Sequence, residues 1–122
     1  MIFKENNKAI YLQIADAICD DILSGKYPPE SRIPSVREYA ASVEVNANTV
    51  MRSYDHLASA GIIYNKRGIG YFIAPDAPEQ VRSMRRQELL GGDLNTLFHR
   101  LHLLGITPAE LAELYTDFCS RQ

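Results

Sequence analysis

Apolar residues recur along the chain with the spacing of helices. Ile10, Ile14, Ala17, Ile18 and Ile22 fall three or four apart, which predicts one buried face on a helix over residues 10–24, stopped by Gly25. Residues 26–34 hold three prolines and no period, and predict an extended connector. Ser35, with Glu38 three positions later, is a capping-box pattern that opens a second helix through about Ser42. A turn over 43–45 follows. Asn46 or Asn48 can cap a third helix that runs to about Ala60, with Val50, Tyr54 and Leu57 inward and Gly61 as its stop.

The period then changes. Residues 62–64 and 71–73 are short β-prone runs separated by Asn65-Lys66-Arg67-Gly68-Ile69-Gly70, which predicts a hairpin with a basic, glycine-containing tip. Such a hairpin is marginal by itself and must pack on the helices. Pro75 and Pro78 mark a boundary, giving units of 1–75 and 76–122. Beyond it a polar, Arg-rich helix is expected over about 79–90, ended by Gly91-Gly92. Asp93 then caps a helix striped with Leu94, Leu97, Phe98, Leu101 and Leu104. Thr107 as cap, Pro108 at the first helical position and Glu110 completing a capping box open the last helix, whose apolar face is Leu111, Leu114, Tyr115 and Phe118. Two short helices cannot bury both stripes alone, so a second copy of the chain is expected to cover Leu97, Phe98, Leu101, Leu104, Leu111, Leu114, Tyr115 and Phe118.

Helix, turn, helix and Gly-tipped hairpin is the order of a winged helix-turn-helix. The predicted fold class is therefore mainly α with a small β-hairpin: a winged helix-turn-helix domain followed by a short all-helical dimerisation region. In that arrangement the second helix of the pair enters the major groove of DNA while the first crosses the backbone. The third helix of this chain offers Asn46, Asn48, Thr49 and Arg52: Asn pairs with adenine, Arg with guanine, and Thr with a phosphate or a thymine methyl. Ser35 and Arg37 suit a backbone phosphate. Lys66 and Arg67 suit phosphates or a minor groove, with Gly68 and Gly70 permitting the tight tip. Each has a plainer alternative: the asparagines as caps alone, Thr49 as an ordinary exposed residue, Arg37 paired to a helix carboxylate, Lys66 and Arg67 as solvated charge.

Charge qualifies this picture without reversing it. The 122 residues carry a formal net charge of -2, whereas nucleic-acid binders are usually basic. Between residues 32 and 73, however, five basic residues face three acidic ones. The rest of the composition, 46% hydrophobic and 23% charged, is that of an ordinary globular protein. No apolar run is long enough to span a bilayer, and the first seven residues lack the pattern of a secretory signal, so no membrane partner and a cytoplasmic location are expected. Length leaves no room for a second full ligand-binding domain. Cys19 and Cys119 fit no metal spacing and read as reduced thiols. His99 and His102 could share a helix face, but two ligands do not make a metal site. Neither a cofactor nor a catalytic group is expected. A small-molecule effector is left open, since no residue cluster identifies one. A protein-docking winged helix without specific DNA binding is the competing reading.

Over residues 10–74 the chain resembles the N-terminal domain of the GntR family of bacterial transcription regulators. The resemblance rests on Tyr11-Leu12-Gln13-Ile14, on Ile33-Pro34-Ser35-Val36-Arg37-Glu38 with Ala40, on Thr49-Val50 with Tyr54 and Leu57, on Gly61-Ile62-Ile63 and on Gly68-Ile69-Gly70-Tyr71-Phe72. The short helical remainder resembles the YtrA-like subfamily, in which such helices form the dimer. The resemblance implies a homodimeric regulator, commonly a repressor, on a pseudo-palindromic operator in double-stranded DNA. By motif position Arg37, Asn48, Thr49, Arg67 and Gly68 fall where the family contacts DNA. The chain departs from the pattern at Pro29-Glu30-Ser31, where glycine is common, and at Ala47 and Met51, where many relatives carry arginine.

Overall fold

A computed structural model describes residues 8–122. The elements run α1 (Ile10–Leu23), α2 (Val36–Val43), α3 (Ala47–Ser59), β1 (Ile63–Lys66), β2 (Gly70–Ile73), α4 (Ala77–Glu88), α5 (Leu94–Leu103) and α6 (Pro108–Ser120). The expected mainly α winged helix-turn-helix is the fold found.

The core of the first unit is made of residues whose periodicity marks them. Ile14, Ile18 and Ile22 of α1 are buried with Tyr39, Ala40 and Val43 of α2 and Val50, Tyr54 and Leu57 of α3. Ala15 and Cys19 share the buried face of α1, whereas Ile10, at its first turn, is 49% exposed. Val43 belongs to α2 and is buried, so the turn is confined to Glu44 and Val45, with Glu44 in the left-handed conformation at φ 55°. Two polar contacts fix α3. The buried Ser53 hydroxyl donates to the Tyr11 carbonyl at 2.6 Å, and the Tyr54 hydroxyl donates to the Pro34 carbonyl at 2.6 Å. Burial raises the Tyr54 phenol pKa well above its ordinary value.

The hairpin is antiparallel, with Ile63 opposite Ile73 and Lys66 opposite Gly70. The proline-rich connector supplies part of a third edge. Ile33 donates its N–H to the Tyr71 carbonyl at 3.0 Å, Glu30 to the Ile73 carbonyl at 2.8 Å, and Ile73 returns a bond to the Ser31 carbonyl at 2.9 Å. Arg32 sits opposite Phe72 in this bridge. The wing is thereby tied to the segment that leads into α2, which answers the marginal stability of a lone hairpin.

Three expectations for the C-terminal helices need correction. Pro78 does not break the chain. It lies in the first turn of α4, where its missing N–H would be unpaired in any residue, and the helix begins at Ala77. Gly91-Gly92 does not end a helix: neither glycine takes positive φ, and residues Leu89–Asp93 form a π-helical turn, with the Leu94 N–H bonded to the Leu89 carbonyl. Asn95 and Thr96 donate side-chain hydrogen bonds back to the carbonyls of Gly91 and Gly92, each at 3.3 Å. Asp93 is consequently no cap; it is helical and makes no capping bond. At α6, Thr107 does cap, accepting from the Glu110 N–H at 3.2 Å, which is the Thr107 half of the expected box.

The chain divides into two compact units, the first ending at Ser83 and the second covering Met84–Gln122. The division falls inside α4 rather than at residue 75, because Ala77 and Val81 are fully buried and belong to the first unit. Within the second unit the predicted stripes are largely bare. Leu97, Phe98, Leu104, Leu114, Tyr115 and Phe118 are all exposed, and Leu101 and Leu111 are half-buried. A groove of about 500 Å³ runs between α5 and α6, with Leu97, Phe98, Leu111 and Tyr115 among its walls.

Candidate nucleic-acid interface

The first helix terminus of the site is built by local chemistry. The Ser35 hydroxyl accepts from the Glu38 N–H at 3.1 Å, and a Glu38 carboxylate oxygen accepts from the Ser35 N–H at 3.0 Å. Both bonds of the expected capping box are present. The Ser35 backbone N–H, with its side chain in support, holds the Glu38 carboxyl below the ordinary carboxylate pKa. The Ser35 oxygen is thus occupied as an acceptor, while its hydroxyl proton remains able to donate to an anion. Arg37 follows two positions after the cap, exposed. Among the described residues the salt bridges are Lys8 with Asp16 and Lys26 with Asp21, so no carboxylate neutralises Arg37 or Arg67.

The choice of cap on α3 is decided in favour of Asn46, whose side-chain oxygen accepts from the Asn48 N–H at 2.8 Å. Asn48 is left with its amide exposed in the first turn, and Thr49 is half-buried beside it. At about 3.6 residues per turn, burial of Val50, Ser53, Tyr54 and Leu57 turns Asn48, Met51, Arg52 and Asp55 outward. Arg52 does not extend freely. Its guanidinium carbon lies 4.1 Å from the ring centroid of Tyr11 on α1, and Tyr11 in turn meets His56 edge-on at 6.2 Å.

The wing tip is closed by a bond from the Ile69 N–H to the Lys66 carbonyl at 2.9 Å. Gly68 stands at φ +80° with open space around it. Arg67 and Gly68 form the exposed tip itself. Lys66 is placed differently from its neighbour: its ammonium folds back to 4.4 Å from the Phe72 ring and 5.9 Å from that of Tyr64. Gly70, expected with Gly68 to permit the tight tip, has a further role in admitting Arg32. A Cβ there would lie 2.9 Å from the Arg32 Nε, and its φ is +140°. Arg32 and Tyr11 are therefore two supporting residues to which the sequence reading gave no part in holding the site. Both act across long chain separations, and no local motif announces such a pair.

Ser35, Arg37, Asn46, Asn48, Thr49 and Arg52 thus occupy the opening turns of α2 and α3, with Lys66, Arg67 and Gly68 on the hairpin, all within the first unit. Donors and cations placed at helix N-termini can hold phosphate oxygens, and an exposed amide can address base edges. Among the described residues there is no cluster of His, Cys, Asp and Glu suited to a metal ion, so His99 and His102 gain no further ligand. Cys19 is buried and Cys119 exposed, and neither is part of a disulfide among the described residues. No helix among the described residues is long and apolar enough to cross a membrane.

The pattern of the bacterial regulatory proteins of the gntR family matches residues 10–73. Among curated proteins, the HTH-type transcriptional regulator YhcF of Bacillus subtilis (strain 168) is 35% identical over 111 residues, covering 89% of this chain and 88% of its own length. The HTH-type transcriptional repressor YtrA of the same organism is 32% identical, covering 85% and 79% respectively. Among solved structures, a GntR-family regulator from Bacteroides thetaiotaomicron is 54% identical with a TM-score of 0.84, over 93% of this chain and 99% of that one. The AraR DBD, solved in complex with operator ORR3, is 28% identical with a TM-score of 0.54 over 61% of this chain and 89% of that one. A helix-turn-helix with its wing, matched in sequence along its whole run and in structure across nearly the whole chain, places this protein in the GntR family of DNA-binding transcription regulators.

Proposed function

We propose that the protein is a homodimeric transcription repressor of the cytoplasm that binds a pseudo-palindromic DNA operator. The observation that carries this reading is the outward face of α3, with Asn48 and Arg52 exposed, in the same unit as Arg37 and Arg67, which form no salt bridge among the described residues. In this reading α3 lies in the major groove. Asn48 and Thr49 address bases, Arg52 a guanine, and Asn46 adds its amide donor while capping the helix. Ser35 and Arg37 hold a backbone phosphate at the start of α2. Arg67, with Lys66 behind it and Gly68 at the tip, follows a neighbouring phosphate or the minor groove.

The dimer is inferred from the bare stripes of the second unit. A second copy set against Leu97, Phe98, Leu101, Leu104, Leu111, Leu114, Tyr115 and Phe118 removes from water a surface that a single chain leaves exposed. Two copies would then present two α3 helices about one turn of DNA, roughly 34 Å, apart. YtrA, a transcriptional repressor, and AraR, held on its operator, support the same direction.

Selection of duplexes from a random pool tests the reading. It should enrich an inverted repeat, and affinity should fall by about 0.9 log unit per log unit of salt for each phosphate neutralised. Arg67→Ala should weaken binding and make that slope shallower by about one. Enrichment of no sequence, with binding indifferent to salt, would replace the proposal by a protein-docking role.

A further inference from the structure

The outward face of α3 is not uniformly polar. Met51 is 40% exposed, one turn beyond Ala47 and Asn48, and Ala47 is exposed at the first position of the helix. These two apolar side chains at i and i+4 lie on one flank of the strip. Arg52 is drawn to the opposite flank by its contact with the Tyr11 ring at 4.1 Å. Ala47 and Met51 themselves therefore offer no hydrogen bond to a base edge. Asn48 is the adjacent exposed amide, its own N–H already taken by the Asn46 cap.

We propose that Met51 reads the C5-methyl group of a thymine, so that an A·T pair lies beneath the first two turns of α3. In the major groove thymine alone presents a methyl group, beside its O4 acceptor, while the other bases present hydrogen-bonding atoms with no methyl group. A flexible thioether packs well against such a methyl. Against a cytosine amino group or the guanine edge the same side chain would cover a donor or acceptor without pairing it, which disfavours those bases. Asn48 can meet the N6 and N7 of an adenine in the same or the adjoining pair. The inference rests on the DNA-binding reading above and adds which base chemistry the helix selects.

The test uses the full chain and a duplex obtained by selection, with each thymine replaced in turn by deoxyuridine, which removes only the methyl group. For the natural protein, one replacement in each half-site should weaken binding about fourfold, which is what burial of one methyl group is worth. In Met51→Ala that position should become insensitive, while other positions keep their effects. A thermal unfolding midpoint near that of the natural protein shows that the variant is folded. Uniform indifference of the natural protein to deoxyuridine, or undiminished sensitivity in Met51→Ala, would overturn the inference but leave the DNA reading intact. Failure to select any duplex would overturn both.

Discussion

The guanidinium of Arg52 on α3 stacks on the ring of Tyr11 on α1, 4.1 Å from its centroid. A second link beneath it, from the Ser53 hydroxyl to the Tyr11 carbonyl at 2.6 Å, uses the backbone and survives a change of side chain. The ring can therefore be altered without unpinning the two helices. Tyr11→Phe keeps the stacking face and should behave as the natural protein. Tyr11→Leu should lose about 0.5–1 kcal/mol of stability. In DNA binding, the losses from Tyr11→Leu and Arg52→Ala should be less than additive, because the ring acts through the arginine. Fully additive losses in a double-mutant cycle would show that the stack positions nothing.

The wing depends on an arrangement that only glycine meets. Gly70 stands at φ +140°, and a Cβ there would come within 2.9 Å of the Arg32 Nε and 3.4 Å of its Nη2. Gly70→Ala should cost about 1–3 kcal/mol in a urea titration, since both the backbone conformation and the contact resist it. Arg32 can swing aside, so adding Arg32→Ala should recover only the smaller, steric part. A Gly70→Ala protein as stable as the natural one would refute this account of the wing.

The capping box of α2 has a pH signature. The Glu38 carboxyl is held below its ordinary pKa by the Ser35 backbone N–H, with further help from its side chain. A lowered pKa in the folded state means that the stabilisation is present above the ordinary carboxylate value and is lost as pH falls through the folded value. The advantage of the natural protein over Glu38→Gln should therefore shrink between about pH 6 and about pH 3 in denaturant titrations. A constant difference across that range would mean that the carboxylate charge contributes nothing to the cap.

Much of the geometry of the candidate interface was legible in the sequence because its signals are local. Ser35 and Glu38 are three apart and form the box that their spacing predicts. The apolar period of α3 puts Val50, Tyr54 and Leu57 inside and so turns Asn48 out. The misread places were those where a local signal admits two conformations. Gly91-Gly92 resembles a helix stop, yet the usual glycine stop needs a left-handed residue. Here both stay helical and a π-turn carries the chain on. Pro78 resembles a break and is a helix start. Asn46 and Asn48 were equivalent as caps until the backbone put the Asn46 side chain on the Asn48 N–H.

The order of elements, the core periodicity, the donors at the two helix starts and the apolar stripes of the last two helices were determined by the sequence alone, through contacts within a few residues. Only the tertiary structure decided that Arg52 leans on Tyr11, that Arg32 crosses Gly70, that residues 30–33 edge the hairpin, and that Ala77 and Val81 belong to the first unit. These relationships join residues distant along the chain. Their geometry exists only once the helices and the wing have packed, and no spacing in the sequence encodes it.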